Sequence, residues 1–139
     1  MAVTMMYRKQ HAELVEIVQA IAEKLDETSL GNGGAAETNE LLTRLAGKLL
    51  VHLAAEDYGL YPKMIDSSDR EASSTAKSFQ DEMGGLKEAF QGYYTKWNGA
   101  GKIQGDPGAF ISETQGVFEA LGARVEKENT ILYPLADRL

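Results

Sequence analysis

One apolar stripe limits what this chain can become more than any other feature. Leu42, Leu45 and Leu49 recur at steps of three and four, and the same steps continue onto His52 and Glu56. Residues at that spacing share one face of an α-helix, so a histidine and a carboxylate are carried towards the core with the leucines. A carboxylate taken out of water needs a compensating partner. The device then recurs. Arg124-Val-Glu-Lys-Glu128-Asn-Thr-Ile-Leu-Tyr-Pro134 aligns with His52-Leu-Ala-Ala-Glu56-Asp-Tyr-Gly-Leu-Tyr-Pro62, matching at the glutamate and at Leu-Tyr-Pro. Arginine stands where histidine stood.

The rest of the chain reads as helix around these two stretches. His11, Leu14, Val15, Val18, Ile21 and Leu25 form one face of a first helix over about Thr4–Leu25. Ser29 to Ala35 has the composition of a loop, and GNGG has no preceding strand to make it a nucleotide fingerprint. The spacing predicts a second helix over Thr38–Met64, kinked or frayed near Pro62, whose nitrogen cannot donate. Ser68 with Glu71 makes a candidate capping box for a third helix, Asp69–Trp97, striped by Ala76, Phe79, Met83, Leu86, Phe90, Tyr93 and Trp97. Gly84 and Gly85 weaken that helix, and a close helix–helix contact would account for them. Asn98–Gly105 reads as loop. Asp106-Pro107 then starts a last helix whose stripe is Phe110, Thr114, Val117, Leu121, Arg124, Glu128, Ile131 and Leu135.

Four amphipathic helices with short connections and no strand pattern predict an all-α chain, an antiparallel up-down-up-down four-helix bundle over 1–139 as a single domain. In that order His11, His52 and Glu56, Phe79 and Met83, and Arg124 and Glu128 fall at one end. A net charge of −7, from 14 basic and 21 acidic residues, argues against nucleic acid or an anionic membrane as partner. There is no cysteine, so thiolate chemistry is excluded. No apolar run approaches the roughly 18 residues of a membrane span. MAVTMMYRKQ lacks the apolar region of a signal peptide, so a cytoplasmic protein is expected.

A histidine from one helix and a His-x-x-x-Glu from its neighbour are the parts from which helical bundles build metal sites. His11, His52-x-x-x-Glu56-Asp57 with Leu60-Tyr61-Pro62, and Glu128 before Leu132-Tyr133-Pro134 resemble the hemerythrin-like (HHE cation-binding) domains over the whole chain. Members of that family hold two irons on about five histidines and two bridging carboxylates, and bind or sense dioxygen, nitric oxide or iron. The resemblance implies that His11, His52, Glu56 and Glu128 form a ligand set for one metal. It also implies that the second metal's ligands are replaced by Phe79, Met83 and Arg124. Phenylalanine and methionine are no ligands for a hard iron centre, and arginine stays protonated. With two histidines in the chain, no di-iron centre is expected.

The pocket admits two main readings. In the leading one the site is degenerate and metal-free. Arg124 fills the second metal's place and pairs with Glu128 on its own helix and with Glu56 opposite. The protein is then a non-enzymatic binding or regulatory domain. In the alternative, one divalent ion (iron, manganese or zinc) sits on His11, His52, Glu56 and Glu128, in a mononuclear sensor. A bundle with a small polar ligand pocket is the third reading. Asp57, Asn129, Tyr61 and Tyr133 receive no role from the sequence.

Overall fold

A computed structural model describes residues 3–139, and every regular element among them is helical. In chain order these are α1 (Met5–Ala22), α2 (Glu27–Ser29), α3 (Ala35–Ala55), α4 (Tyr61–Ile65), α5 (Arg70–Trp97), α6 (Ala100–Gly105), α7 (Pro107–Lys127) and α8 (Tyr133–Asp137). Two π-helical turns, Glu56–Leu60 and Glu128–Leu132, join α3 to α4 and α7 to α8, and a kinked segment, Leu30–Gly34, leads into α3. The long helices are α1, α3, α5 and α7. Helix α1 packs on α3, α5 packs on α7, and α6 covers α3 and the kinked Leu30–Gly34 segment.

Local chemistry sets most of the boundaries. The Asp106 side chain accepts the Ala109 amide, and Pro107 opens α7 behind that cap. Helix α5 is capped by Asp69, which accepts from the Ala72 amide at 3.1 Å, and not by the Ser68–Glu71 box that the spacing suggested. Glu71 is turned instead to Arg138. The stretch expected as loop at Asn98–Gly105 contains α6. Ile103 is driven fully into the core there, and a helical turn carries it in with its backbone groups paired. Leu30 does the same for the segment before α3. In that segment the chain reverses through Gly33 at φ 111°, a conformation open to glycine without strain. A Cβ on Gly84 or Gly85 would meet nothing within 4 Å, so no close helix contact explains those glycines.

The second and last stripes both change phase at a π turn. Pro62 and Pro134 each lack the amide that an α-helix needs, and each comes after a wide turn that absorbs the mismatch. The helix therefore neither frays nor stops at Pro62. The extra residue in the turn rotates the side chains downstream of it. Ile131, predicted to face the core, is 46% exposed, while Leu132 and Tyr133 are fully buried in its place.

Buried apolar residues form two clusters. One contains Leu14, Leu49, Leu53, Met83 and Leu121; the other contains Tyr7, Leu60, Tyr61, Phe79 and Tyr133. On each long helix or its continuation, the change of cluster falls at or next to a predicted site residue: His11, Glu56, the Phe79–Met83 step, and Arg124 to Glu128. A polar layer crosses the core there.

Candidate metal centre

His11 on α1, His52 on α3, and Glu56 and Glu128 at the first positions of two π turns form one group. One ligand atom from each lies within 4.8 Å of all the others. None of the four is more than 2% exposed. His11 Nε2 is 2.9 Å from Glu128 Oε1, and His52 Nε2 is 3.2 Å from Glu56 Oε1 and 3.8 Å from Glu128 Oε1. All four residues that the sequence singled out are thus neighbours.

Both imidazoles are held from behind. His52 Nδ1 is 2.7 Å from Gln10 Oε1, and His11 Nδ1 is 2.8 Å from Asn129 Oδ1. An amide oxygen can only accept, so each Nδ1 carries the hydrogen and each Nε2 is aimed at the carboxylates. This arrangement fixes the tautomer that a metal-ligating histidine needs. Gln10 and Asn129 each adjoin a member of the cluster in sequence, His11 and Glu128 respectively.

The carboxylates are tied by tyrosines in a crossed pattern. Tyr61, from the first Leu-Tyr-Pro, donates to Glu128 Oε2 at 3.2 Å. Tyr133, from the second, donates to Glu56 Oε2 at 2.8 Å and lies 3.1 Å from His11 Nε2. Each repeat therefore supplies the hydroxyl for the other repeat's glutamate. Burial and the two carboxylates push both phenols well above their usual range. Tyr7 lies over the same centre, its hydroxyl 3.4 Å from the Ala55 carbonyl. A Cβ at position 59 would come within 2.9 Å of that hydroxyl, so only glycine fits there without displacing it. The crossed tyrosines and the two amides are the residues that sequence reasoning missed; the duplicated Leu-Tyr-Pro was the signal for the former.

Within the cluster two buried atoms lack a well-aligned hydrogen bond, His52 Nε2 and Glu56 Oε1, which face each other at 3.2 Å. Burial opposes charge on His52, but Glu128 and Glu56 outweigh it and push the imidazole up to about 9. Burial likewise works against the Glu128 carboxylate, yet His11 and His52 hold it down at about 2. Glu56 moves the other way, raised by burial and by the neighbouring Glu128 charge. The two carboxylates are thus inequivalent, as expected for like charges sharing one site.

The family model of the hemerythrin HHE cation binding domain matches residues 3–136. The chain belongs to that family. No curated protein and no solved structure matches it. No described helix is long and apolar enough to cross a membrane.

Within this hemerythrin-like domain the three positions read as replaced ligands also meet, but not as expected. Arg124 is buried, and Phe79 and Met83 flank it. Its guanidinium lies 4.3 Å from the centre of the Phe79 ring, donates to the Phe79 carbonyl through Nη2, and pairs through Nη1 with Glu82. Among the described residues no salt bridge joins it to Glu56 or Glu128, contrary to the expected pairing. The reason is steric and electrostatic. The ring of Phe79 offers a face, Glu82 waits one turn further along α5 at the half-exposed edge, and reaching outwards desolvates less charge. Asp57 stays outside the centre, half-buried in a surface groove with Gln80 and Lys87.

Proposed function

We propose that this hemerythrin-like chain is a mononuclear cation-binding domain. His11, His52, Glu56 and Glu128 would hold one divalent ion, and the domain would serve a binding or regulatory role, not a catalytic one. The observation that carries this reading is the buried set of four ligand-type side chains, in which His52 Nε2 and Glu56 Oε1 face each other at 3.2 Å without a well-aligned hydrogen bond. A divalent ion supplies the positive charge that two buried carboxylates require. With Arg124 neutralised by Glu82, the positive charge beside the carboxylates in the metal-free protein is the protonated His52, and a divalent ion would take that proton's place. The expected degenerate, arginine-filled site loses its main support for the same reason. Two imidazole nitrogens and two carboxylates suit iron, manganese or zinc. Phe79 and Met83 add no donor for a hard second ion.

The same reading takes residues 1–139 as one domain and the four long helices as an antiparallel up-down-up-down bundle. Its support is the polar layer, to which α1, α3, α5 and α7 or their continuations each contribute at corresponding heights.

Calorimetric titration of chelator-treated protein with Zn²⁺, Mn²⁺ or, without oxygen, Fe²⁺ tests the proposal. One ion per chain is expected, with thermal stabilisation; at a hundredfold excess over Kd the gain is about 2.7 kcal/mol. A folded protein that takes up none of the three ions, or a His52→Ala variant that binds as tightly as wild type, overturns it.

A further inference from the structure

The polar layer holds an oxygen donor beyond the four candidate ligands. Tyr133 is fully buried, and its ring is stacked on that of His11, with centres 5.1 Å apart and planes inclined by 24°. The tips are closer than the centres, since Tyr133 Oη lies 3.1 Å from His11 Nε2. The two rings therefore lean towards one point. Glu128 Oε1 stands 2.9 Å from that same nitrogen, and Glu56 Oε2 stands 2.8 Å from Oη. Donors that share one ion, each about 2.1 Å from it and at right angles, sit about 3 Å apart. Tyr61 differs: its hydroxyl bonds to Glu128 at 3.2 Å and to no histidine among the described residues.

Counting hydrogens singles out the same oxygen. Asn129 accepts the His11 Nδ1 hydrogen, so Nε2 of the neutral ring presents a lone pair. Tyr133 has one hydrogen and two acceptors in reach, Glu56 Oε2 and His11 Nε2. With that hydrogen on the shorter contact, to Glu56, lone pairs of Oη and Glu128 Oε1 both face His11 Nε2. A cation among them removes the conflict. A divalent ion is balanced by Glu56 and Glu128 alone. Ferric iron carries one positive charge more, and buried charge needs compensation. A phenolate supplies it through a hard oxygen, the donor type that such an ion takes. The bound ion also reverses the effect of burial on an acid that coordinates it.

We propose that Tyr133 is a fifth ligand, binding ferric iron as a phenolate beside His11, His52, Glu56 and Glu128, so that the centre favours ferric over ferrous iron. With ferrous iron the hydroxyl keeps its hydrogen on Glu56. When a one-electron oxidant such as ferricyanide takes an electron from the iron, the O–H bond breaks, the proton leaves to solvent and the Oη–iron bond forms. The inference rests on the cation-binding reading and adds which metal, in which oxidation state, that site favours.

Chelator-treated full-length protein is loaded with Fe²⁺ without oxygen, oxidised with ferricyanide and desalted. A phenolate on ferric iron absorbs intensely in the visible, and Raman excitation within that band enhances tyrosine ring vibrations. Both signals are expected at one iron per chain, with the vibrations moving when the tyrosines are ring-deuterated. Tyr133→Phe should lose the band, and its preference for Fe³⁺ over Fe²⁺ should fall at least about tenfold, a rise in reduction potential of about 59 mV. If Tyr133→Phe does not fold, 3-fluorotyrosine placed at position 133 decides the matter, since it keeps the ring and should shift the band. Iron that is bound and oxidised without the band, a band that survives Tyr133→Phe, or a band unmoved by the fluorine each overturns the inference and leaves the cation site standing. Protein that takes up no iron overturns it as well, and the Zn²⁺ and Mn²⁺ titrations then show whether the cation-binding reading falls with it.

Discussion

The two Leu-Tyr-Pro stretches share a backbone but not a chemistry. In both, a glutamate opens a five-residue π turn, and a proline stands at the second position of the next short helix. In both, the tyrosine before that proline reaches across to the other stretch's glutamate. They part at the residue four positions before the glutamate. His52 turns inward and touches Glu56, whereas Arg124 turns to α5 and takes Glu82 and the Phe79 carbonyl. The turn and the crossed tyrosines therefore belong to the scaffold, and one side chain per repeat decides whether its half of the layer can hold a cation. Width of the turn matters here, because an uninterrupted α-helix would have buried Ile131 in place of Tyr133 and left Glu56 without its hydroxyl.

Restoring the difference should give the largest effect. A triple variant, Phe79→His with Met83→His and Arg124→His, returns imidazoles to the second half and should raise stoichiometry from one ion to two per chain by calorimetry. Arg124→His alone should leave it at one, since Phe79 and Met83 offer no donor. Stoichiometry of one in the triple variant would mean that the halves differ in backbone as well as side chains.

Breaking the shared part comes next. Glu128 contacts His11, His52 and Tyr61, so Glu128→Ala strips a partner from three buried groups and should cost about 3–5 kcal/mol in urea unfolding of the metal-free protein. A loss under about 1 kcal/mol would show that the histidines do not depend on this carboxylate.

The crossed tyrosines should be unequal in the same direction as their distances. Hydrogen bonds to a charged acceptor contribute about 1.5–3 kcal/mol. Tyr133→Phe, which loses a 2.8 Å bond, should fall near the top of that range, and Tyr61→Phe, which loses one of 3.2 Å, near the bottom. The reverse order in paired melts would contradict the geometry.

Behind the ligands, Gln10→Ala and Asn129→Ala free one imidazole each and should weaken metal affinity about tenfold to a hundredfold. A titration showing no change would remove these amides from the site.

The smallest effect sits at the surface. Arg138 comes after the second Tyr-Pro and clasps Asp69 and Glu71, a contact without a counterpart after the first repeat among the described residues. The Asp69 carboxyl is held below its usual value by Arg138 and by the Ala72 amide. A depressed carboxylate contributes stability that is present above its unfolded pKa, near about 3.9, and lost as pH falls through the lower folded value. Arg138→Ala should lower Tm slightly at neutral pH and flatten the acid limb of the Tm–pH curve. An identical acid limb in both proteins would show the clasp to be idle.

Which faces are buried was legible from the order of residues. A 3-4 period needs no tertiary knowledge, and it placed His11, His52, Glu56 and Glu128 towards the core along with the leucines. The repeat of Leu-Tyr-Pro contained both tyrosines without giving them a role, because nothing in a linear chain says that a hydroxyl crosses to the opposite copy. Tertiary structure decided the rest, because those outcomes depend on competition between elements distant in the chain. Arg124 is four residues from Glu128, which favours that pair on an isolated helix. In the folded protein an aromatic face, a carbonyl and a half-exposed carboxylate on α5 prevail over it, since they allow the guanidinium to keep more of its charge near water. The phase shift at the π turns was equally hidden. Period counting assumes a constant helical repeat, and a proline satisfied by one wide turn breaks that assumption without breaking the helix.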